Sequence, residues 1–195
     1  MNFKKRALAY LLDAIIVSLI LMLLNTFIPP NENIVKLNKE MIELQQSFVD
    51  KKISDSNYIL QISNIVKDVD RNSVMNNVIS VVVLLLYFVI WPFYHKGQTL
   101  GKKRMNIRVV KDNLEEASMN DLLLRNIIIN NIGYMLIQLL IVFILPGENY
   151  YMAIVFMSFI QFILVLASMI MIYKRKDNKG VHDLIAKTKV IEVEK

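Results

Sequence analysis

The stretch Lys4-Lys5-Arg6-Ala7-Leu8-Ala9-Tyr10-Leu11-Leu12-Asp13-Ala14-Ile15-Ile16 opens an apolar segment that continues to Ile28. From Ala7 this is about 22 residues, or about 33 Å of helix at ~1.5 Å per residue, enough to cross a bilayer. An arginine stands at its mouth and an aspartate inside it. Arg6 and Asp13 lie two helical turns apart, on one stripe with Tyr10 between them. An ionised group within a span costs about 2.5–3.5 kcal/mol on insertion scales, so Asp13 is expected to face protein or water and to have a partner.

Composition agrees with lipid as the solvent. The 195 residues are 55% hydrophobic, above the ~45–50% of ordinary soluble domains. There is no cysteine, which excludes disulfides, thiolate metal sites and cysteine nucleophiles. The net charge of +6 is spread between apolar runs, a pattern that points to topology and anionic lipid rather than to nucleic acid. A cleaved leader is the rival reading of residues 1–28. The run is long for one, Asp13 interrupts it, and no small-x-small site precedes Pro29-Pro30, so a permanent span over 7–28 is expected.

Beyond those prolines, residues 31–73 are polar but patterned. Ile34, Leu37, Met41, Leu44 and Phe48 fall on one helical face, and so do Ile59, Ile62, Val66 and Val69. Ser54 or Asp55 is placed to cap the second helix. The expectation is an amphipathic helical hairpin. Its two stripes either pack on each other or form a docking surface for a partner or the membrane face. Further spans are expected over 74–93, 127–145 and 150–173, separated by a polar loop at 95–125 and followed by a tail at 174–195. Residues 105–110 and 189–193 read as short β-rich runs. Lone strands would leave backbone groups unpaired, so the two are expected to meet.

If both termini are cytoplasmic, the inside segments hold 17 Lys/Arg and the outside ones 6, the positive-inside asymmetry. The predicted fold is therefore an all-α polytopic membrane protein: four transmembrane helices, an extracytoplasmic amphipathic helical hairpin and a small cytoplasmic β element, in a single domain over 1–195. No barrel pattern and no internal repeat is present.

Asp13 could pair with Arg125, at the mouth of the third span, or with Arg6. Such a pair either sets helix packing or relays a proton or cation. Gly97-Gln98-Thr99-Leu100-Gly101-Lys102-Lys103-Arg104 resembles a phosphate loop only superficially. It is one residue short of G-x-x-x-x-G-K-[ST], and Lys103 replaces the hydroxyl residue. Its glycines suit a tight turn along the membrane surface, and Lys102, Lys103 and Arg104 suit lipid phosphates. His95 and His182 have no metal-binding spacing. Gln138 and Gln161 are expected to hydrogen-bond across helices. No carboxylate pair, nucleophile elbow or triad can be placed, so the sequence reads as a non-enzyme without metal or cofactor.

The opening Arg6-Ala7-Leu8-Ala9-Tyr10-Leu11-Leu12-Asp13, the central Gly97–Val110 stretch, Leu122-Leu123-Leu124-Arg125-Asn126, and Gly180-Val181-His182-Asp183-Leu184-Ile185-Ala186-Lys187-Thr188-Lys189-Val190 resemble motifs of the RDD membrane proteins. The resemblance maps the arginine and two aspartates that name the family onto Arg6, Asp13 and Asp183. It places Lys187 where the family has glycine. Residues 31–73 exceed the family core. It implies a multi-span protein of the bacterial inner membrane, with cation/proton antiport associated with some members. Two functions follow as expectations. One is transport, with Arg6, Asp13, Arg125 and Asp183 as the polar cluster. The other is a non-transporting accessory subunit that binds a partner through 31–73 or the basic face. Expected partners are anionic lipids and a second copy or another membrane protein, not nucleic acid.

Overall fold

A computed structural model describes residues 3–193. Met1, Asn2, Glu194 and Lys195, the ends of the expected 1–195 domain and of its tail, lie outside the described residues. Helix α1 (Phe3–Asn25) is apolar on nearly every side, and many of its large apolar side chains are exposed. Pro29 and Pro30 follow its end, where a helix cannot continue.

The hairpin forms as α2 (Glu32–Val49) and α3 (Asp55–Asn72). The Asn31 side chain caps α2 by accepting from the Asn33 N–H, and Ser54 caps α3 by accepting from the Asn57 N–H. Leu44 and Ile62 are buried, and Phe48 stacks on Tyr58 with ring centroids 4.2 Å apart. The hairpin is also tied to the bundle. The Tyr150 hydroxyl donates to Asp70 at 2.6 Å, and a Cβ added at Gly147 would lie 2.0 Å from the Asn64 Oδ1.

Helix α4 (Val74–Tyr94) contains one π-helical turn, Leu86–Ile90, which buries Tyr87, Phe88 and Val89. Such a turn frees a backbone carbonyl. The Phe88 carbonyl accepts from Asn126 Nδ2 at 2.8 Å. After α4 the chain reverses at Gly97, where φ is +78° and a Cβ would lie 2.1 Å from the Val109 carbonyl oxygen. The short helix α5 (Leu100–Arg104) follows, capped by Thr99, and then strand β1 (Ile107–Lys111).

The expected third span over 127–145 is broken. It comprises α6 (Met119–Ile129) and α7 (Ile132–Ile144), bent by 73°. Asn131 takes a left-handed φ of 59° at the break. Gln161 occupies the gap in the ladder, donating to the Ile128 carbonyl at 2.5 Å and to Asn131 Oδ1 at 2.6 Å. Gln138 donates to the Tyr150 hydroxyl at 3.4 Å, so each glutamine bridges helices but neither meets the other.

Helix α8 (Gly147–Lys174) leads into α9 (Val181–Ile185) and β2 (Thr188–Glu192). As expected from the two β-rich runs, β1 and β2 pair antiparallel, with Ile107 opposite Glu192 and Lys111 opposite Thr188. Ala9, Val89, Ile107, Val109, Leu122 and Val190 share one buried cluster, so the strand pair is seated on α1, α4 and α6. Among the described residues three helices, α1, α4 and α8, are long and apolar enough to cross a membrane, and the bent pair makes a fourth if it is one span.

Candidate functional site

Two buried carboxylates organise the strand-pair end of the bundle. Asp13 accepts from the Tyr87 hydroxyl at 2.6 Å, the Thr99 hydroxyl at 2.6 Å and the Gly101 N–H at 2.7 Å. The π-helical turn positions Tyr87. Thr99 is positioned as the N-cap of α5, its oxygen also accepting from the Lys102 N–H at 3.3 Å. Gly101 is needed because a Cβ there would lie 2.3 Å from the Ala9 carbonyl oxygen and 2.7 Å from the Asp13 Oδ1. Asp13 therefore meets neither Arg6 nor Arg125. Among the described residues its one cationic partner is Lys102, whose Nζ lies 3.9 Å away. The shared stripe of Arg6, Tyr10 and Asp13 also separates: Asp13 is buried, whereas Tyr10 is exposed.

Asp183 is the second centre. Arg125 Nη1 donates to its Oδ1, and Arg6 Nη2 donates to its Oδ2 at 2.7 Å. The Gly180 N–H adds 2.9 Å to the same Oδ2, and Arg125 Nη1 also reaches the Thr188 hydroxyl at 3.3 Å. Burial alone would raise the Asp183 pKa, but the flanking cations, Arg125 foremost, outweigh it and hold the carboxyl well below the usual range.

His182 completes this cluster. Arg6 Nη2 lies 3.3 Å from its Nε2, and its Nδ1 is 2.8 Å from the Ser168 hydroxyl. An arginine only donates, so Nε2 accepts and Nδ1 carries the proton of a neutral ring. Burial and the Arg125 charge lower its pKa to about 3, against the opposing pull of Asp183. With its lone pair engaged by Arg6, the ring is not available as a base toward Ser168.

Lys102, Lys103 and Arg104 divide. Lys103 and Arg104 are exposed, while Lys102 turns inward to the Asp13 site. Burial lowers its pKa to about 8, partly offset by Asp13.

The two clusters share a wall of one cavity of about 340 Å³ between α1 and α8. Its lining includes the apolar Ala14, Val165 and Met169 with Tyr10, and the charged Arg6, Asp13, Lys102 and Arg125. Phe3 and Tyr173 meet edge to face at 5.8 Å near its base.

The chain matches the RDD family over residues 2–187. It belongs to the RDD family. With three or four helices able to span, this RDD protein is a small multi-pass integral membrane protein. No match was found among curated proteins or among solved structures.

The structure brings Arg6, Arg125 and Asp183 together and sets Asp13 apart with Lys102. Tyr87, Ser168 and Thr188 are partners that sequence reasoning did not single out, and His182 was weighed there only as a metal ligand. Thr99 stands two residues before Gly101, and a Thr before a short basic helix is a cap signal. Tyr87 gave no such sign, since it lies in an unbroken apolar run.

Proposed function

We propose that this RDD protein is a transport-related protein of the bacterial cytoplasmic membrane, with both termini and the strand pair in the cytoplasm, and that it exchanges a cation for a proton at Asp13. The observation that carries this reading is the Lys102 ammonium on the cavity wall, 3.9 Å from the Asp13 carboxylate. While Lys102 is protonated, the pair is neutral. Loss of one proton leaves Asp13 as an uncompensated anion, and a small cation can take the place of the ammonium charge. A lysine pKa of about 8 keeps that proton within reach at physiological pH. Asp183 acts differently: two arginines fix it as a carboxylate, so it locks α1, α6 and α9 together.

The test is reconstitution of the purified protein alone in liposomes. An inward cation gradient should drive proton efflux, read by an internal pH dye, and empty liposomes should show none. No cation-driven pH change at any pH between 6 and 9 would reject exchange.

One observation favours the accessory reading. Val35, Ile42 and Val49 are exposed on α2 at seven-residue spacing, a stripe on the outer face of the hairpin suited to a partner.

A further inference from the structure

We propose that the cavity between α1 and α8 is a binding site for a single-chain anionic amphiphile, a long-chain carboxylate that enters sideways from the bilayer. Its chain would lie along Tyr10, Ala14, Val165 and Met169, and its carboxylate would meet Lys102 and Arg125.

Three observations carry this. First, the wall holds cations whose donors are unfilled. Lys102 Nζ has one hydrogen bond, to Thr99 Oγ1 at 3.3 Å, although an ammonium has three N–H groups. Arg125 makes both of its side-chain hydrogen bonds through Nη1. Among the described residues no acceptor is within bonding distance of its Nε or Nη2. Donors without a protein acceptor are free to bond an acceptor on a ligand.

Second, the charges do not balance. Arg6, Lys102 and Arg125 face Asp13 and Asp183, three cations against two anions, an excess of one positive charge that a monoanion neutralises. Third, the lining also includes Tyr10, Ala14, Val165 and Met169, from helices able to span a membrane, so the ligand needs an apolar chain. A volume of about 340 Å³ is at the small end of the ~300–1,000 Å³ of ordinary ligand pockets, which suits one chain rather than two. Binding is expected whether or not the protein moves ions, so the inference goes beyond the exchange reading.

The experiment uses the full chain in phosphatidylcholine nanodiscs with a diazirine-bearing palmitic acid, the adducts being mapped by mass spectrometry. Adducts should fall on Tyr10, Val165 or Met169. Unlabelled palmitate should compete at least tenfold better than hexadecanol or phosphatidylglycerol. Lys102→Gln should lower labelling about tenfold, and Lys102→Arg, which keeps the charge, should restore most of it. Ala14→Trp, which fills the cavity and removes no charge, should also abolish labelling. Hexadecanol competing as well as palmitate would show that the charge is not read. Phosphatidylglycerol competing better would assign the site to a two-chain lipid. Either result overturns the proposal, as would undiminished labelling in Ala14→Trp or adducts confined to lipid-facing residues such as Leu19 and Phe159.

Discussion

The Gly101 N–H donates to the Asp13 Oδ1 at 2.7 Å, so a carboxylate inside the first helix is held by the backbone of a short helix eighty-eight residues away. That contact requires the α5 backbone to lie against α1 with no side chain between them. Gly101→Ala would place a methyl 2.3 Å from the Ala9 carbonyl and force the two apart. Overpacking of this kind costs about 1–3 kcal/mol. The melting temperature in detergent should fall. Combined with Asp13→Asn, the loss should be less than additive because both changes break the same contact. Full additivity would show that the two residues act independently.

The charge pairing predicts which double substitutions rescue. Asp183→Asn leaves Arg6 and Arg125 facing each other without their carboxylate, a change of the kind that costs about 3–5 kcal/mol. Arg125→Gln should recover part of that loss when combined with Asp183→Asn. It should recover nothing when combined with Asp13→Asn, since Asp13 pairs with no arginine among the described residues. Thermal melts of the four variants decide this, and rescue of Asp13→Asn instead would reverse the assignment.

Acid should unfold the strand-pair end. The folded pKa of His182 is lowered from 6.5 to about 3, so between those values the unfolded chain binds more protons than the folded one. Stability therefore rises with pH across that window and is lost as pH falls below about 6.5, by up to ~1.4 kcal/mol per pH unit for one full proton. Asp183, also lowered, adds to the loss only at lower pH. Melting temperatures between pH 7 and 4.5 should decline in the wild type and flatten in His182→Asn. An equal decline in both would remove His182 from the account.

Lys187 adopts a φ of 51° immediately before β2, a left-handed conformation that glycine accepts and other residues resist by roughly 1–2 kcal/mol. The position where the family resemblance calls for glycine thus keeps its turn and carries a strained lysine. Lys187→Gly should raise the melting temperature, although it also loosens the unfolded chain, so the net gain should be at most about 1 kcal/mol. A lowered melting temperature would mean that the Lys187 side chain contributes more than its backbone costs.

Much of this architecture was legible from local pattern. The apolar length of 3–25, the stripes through Leu44 and Ile62, and the two β-rich runs each follow from periodicities that neighbouring residues carry. The bend at Asn130-Asn131 was not legible, because Gln161, which fills the broken ladder, comes from another helix. The partner of Asp13 was misassigned for a similar reason. Charge alone favours an arginine, whereas the carboxylate is satisfied by Tyr87, which the π-helical turn positions, and by Thr99 and Gly101, which only the turn after α4 brings within reach.

The most direct test of the exchange account is proton flux through Lys102→Arg in liposomes, measured beside its melting temperature. Arginine keeps the positive charge next to Asp13 but does not release its proton in this pH range. The account predicts a folded protein, melting close to the wild type, with no cation-driven proton movement at any pH between 6 and 9. Wild-type flux in Lys102→Arg would contradict it.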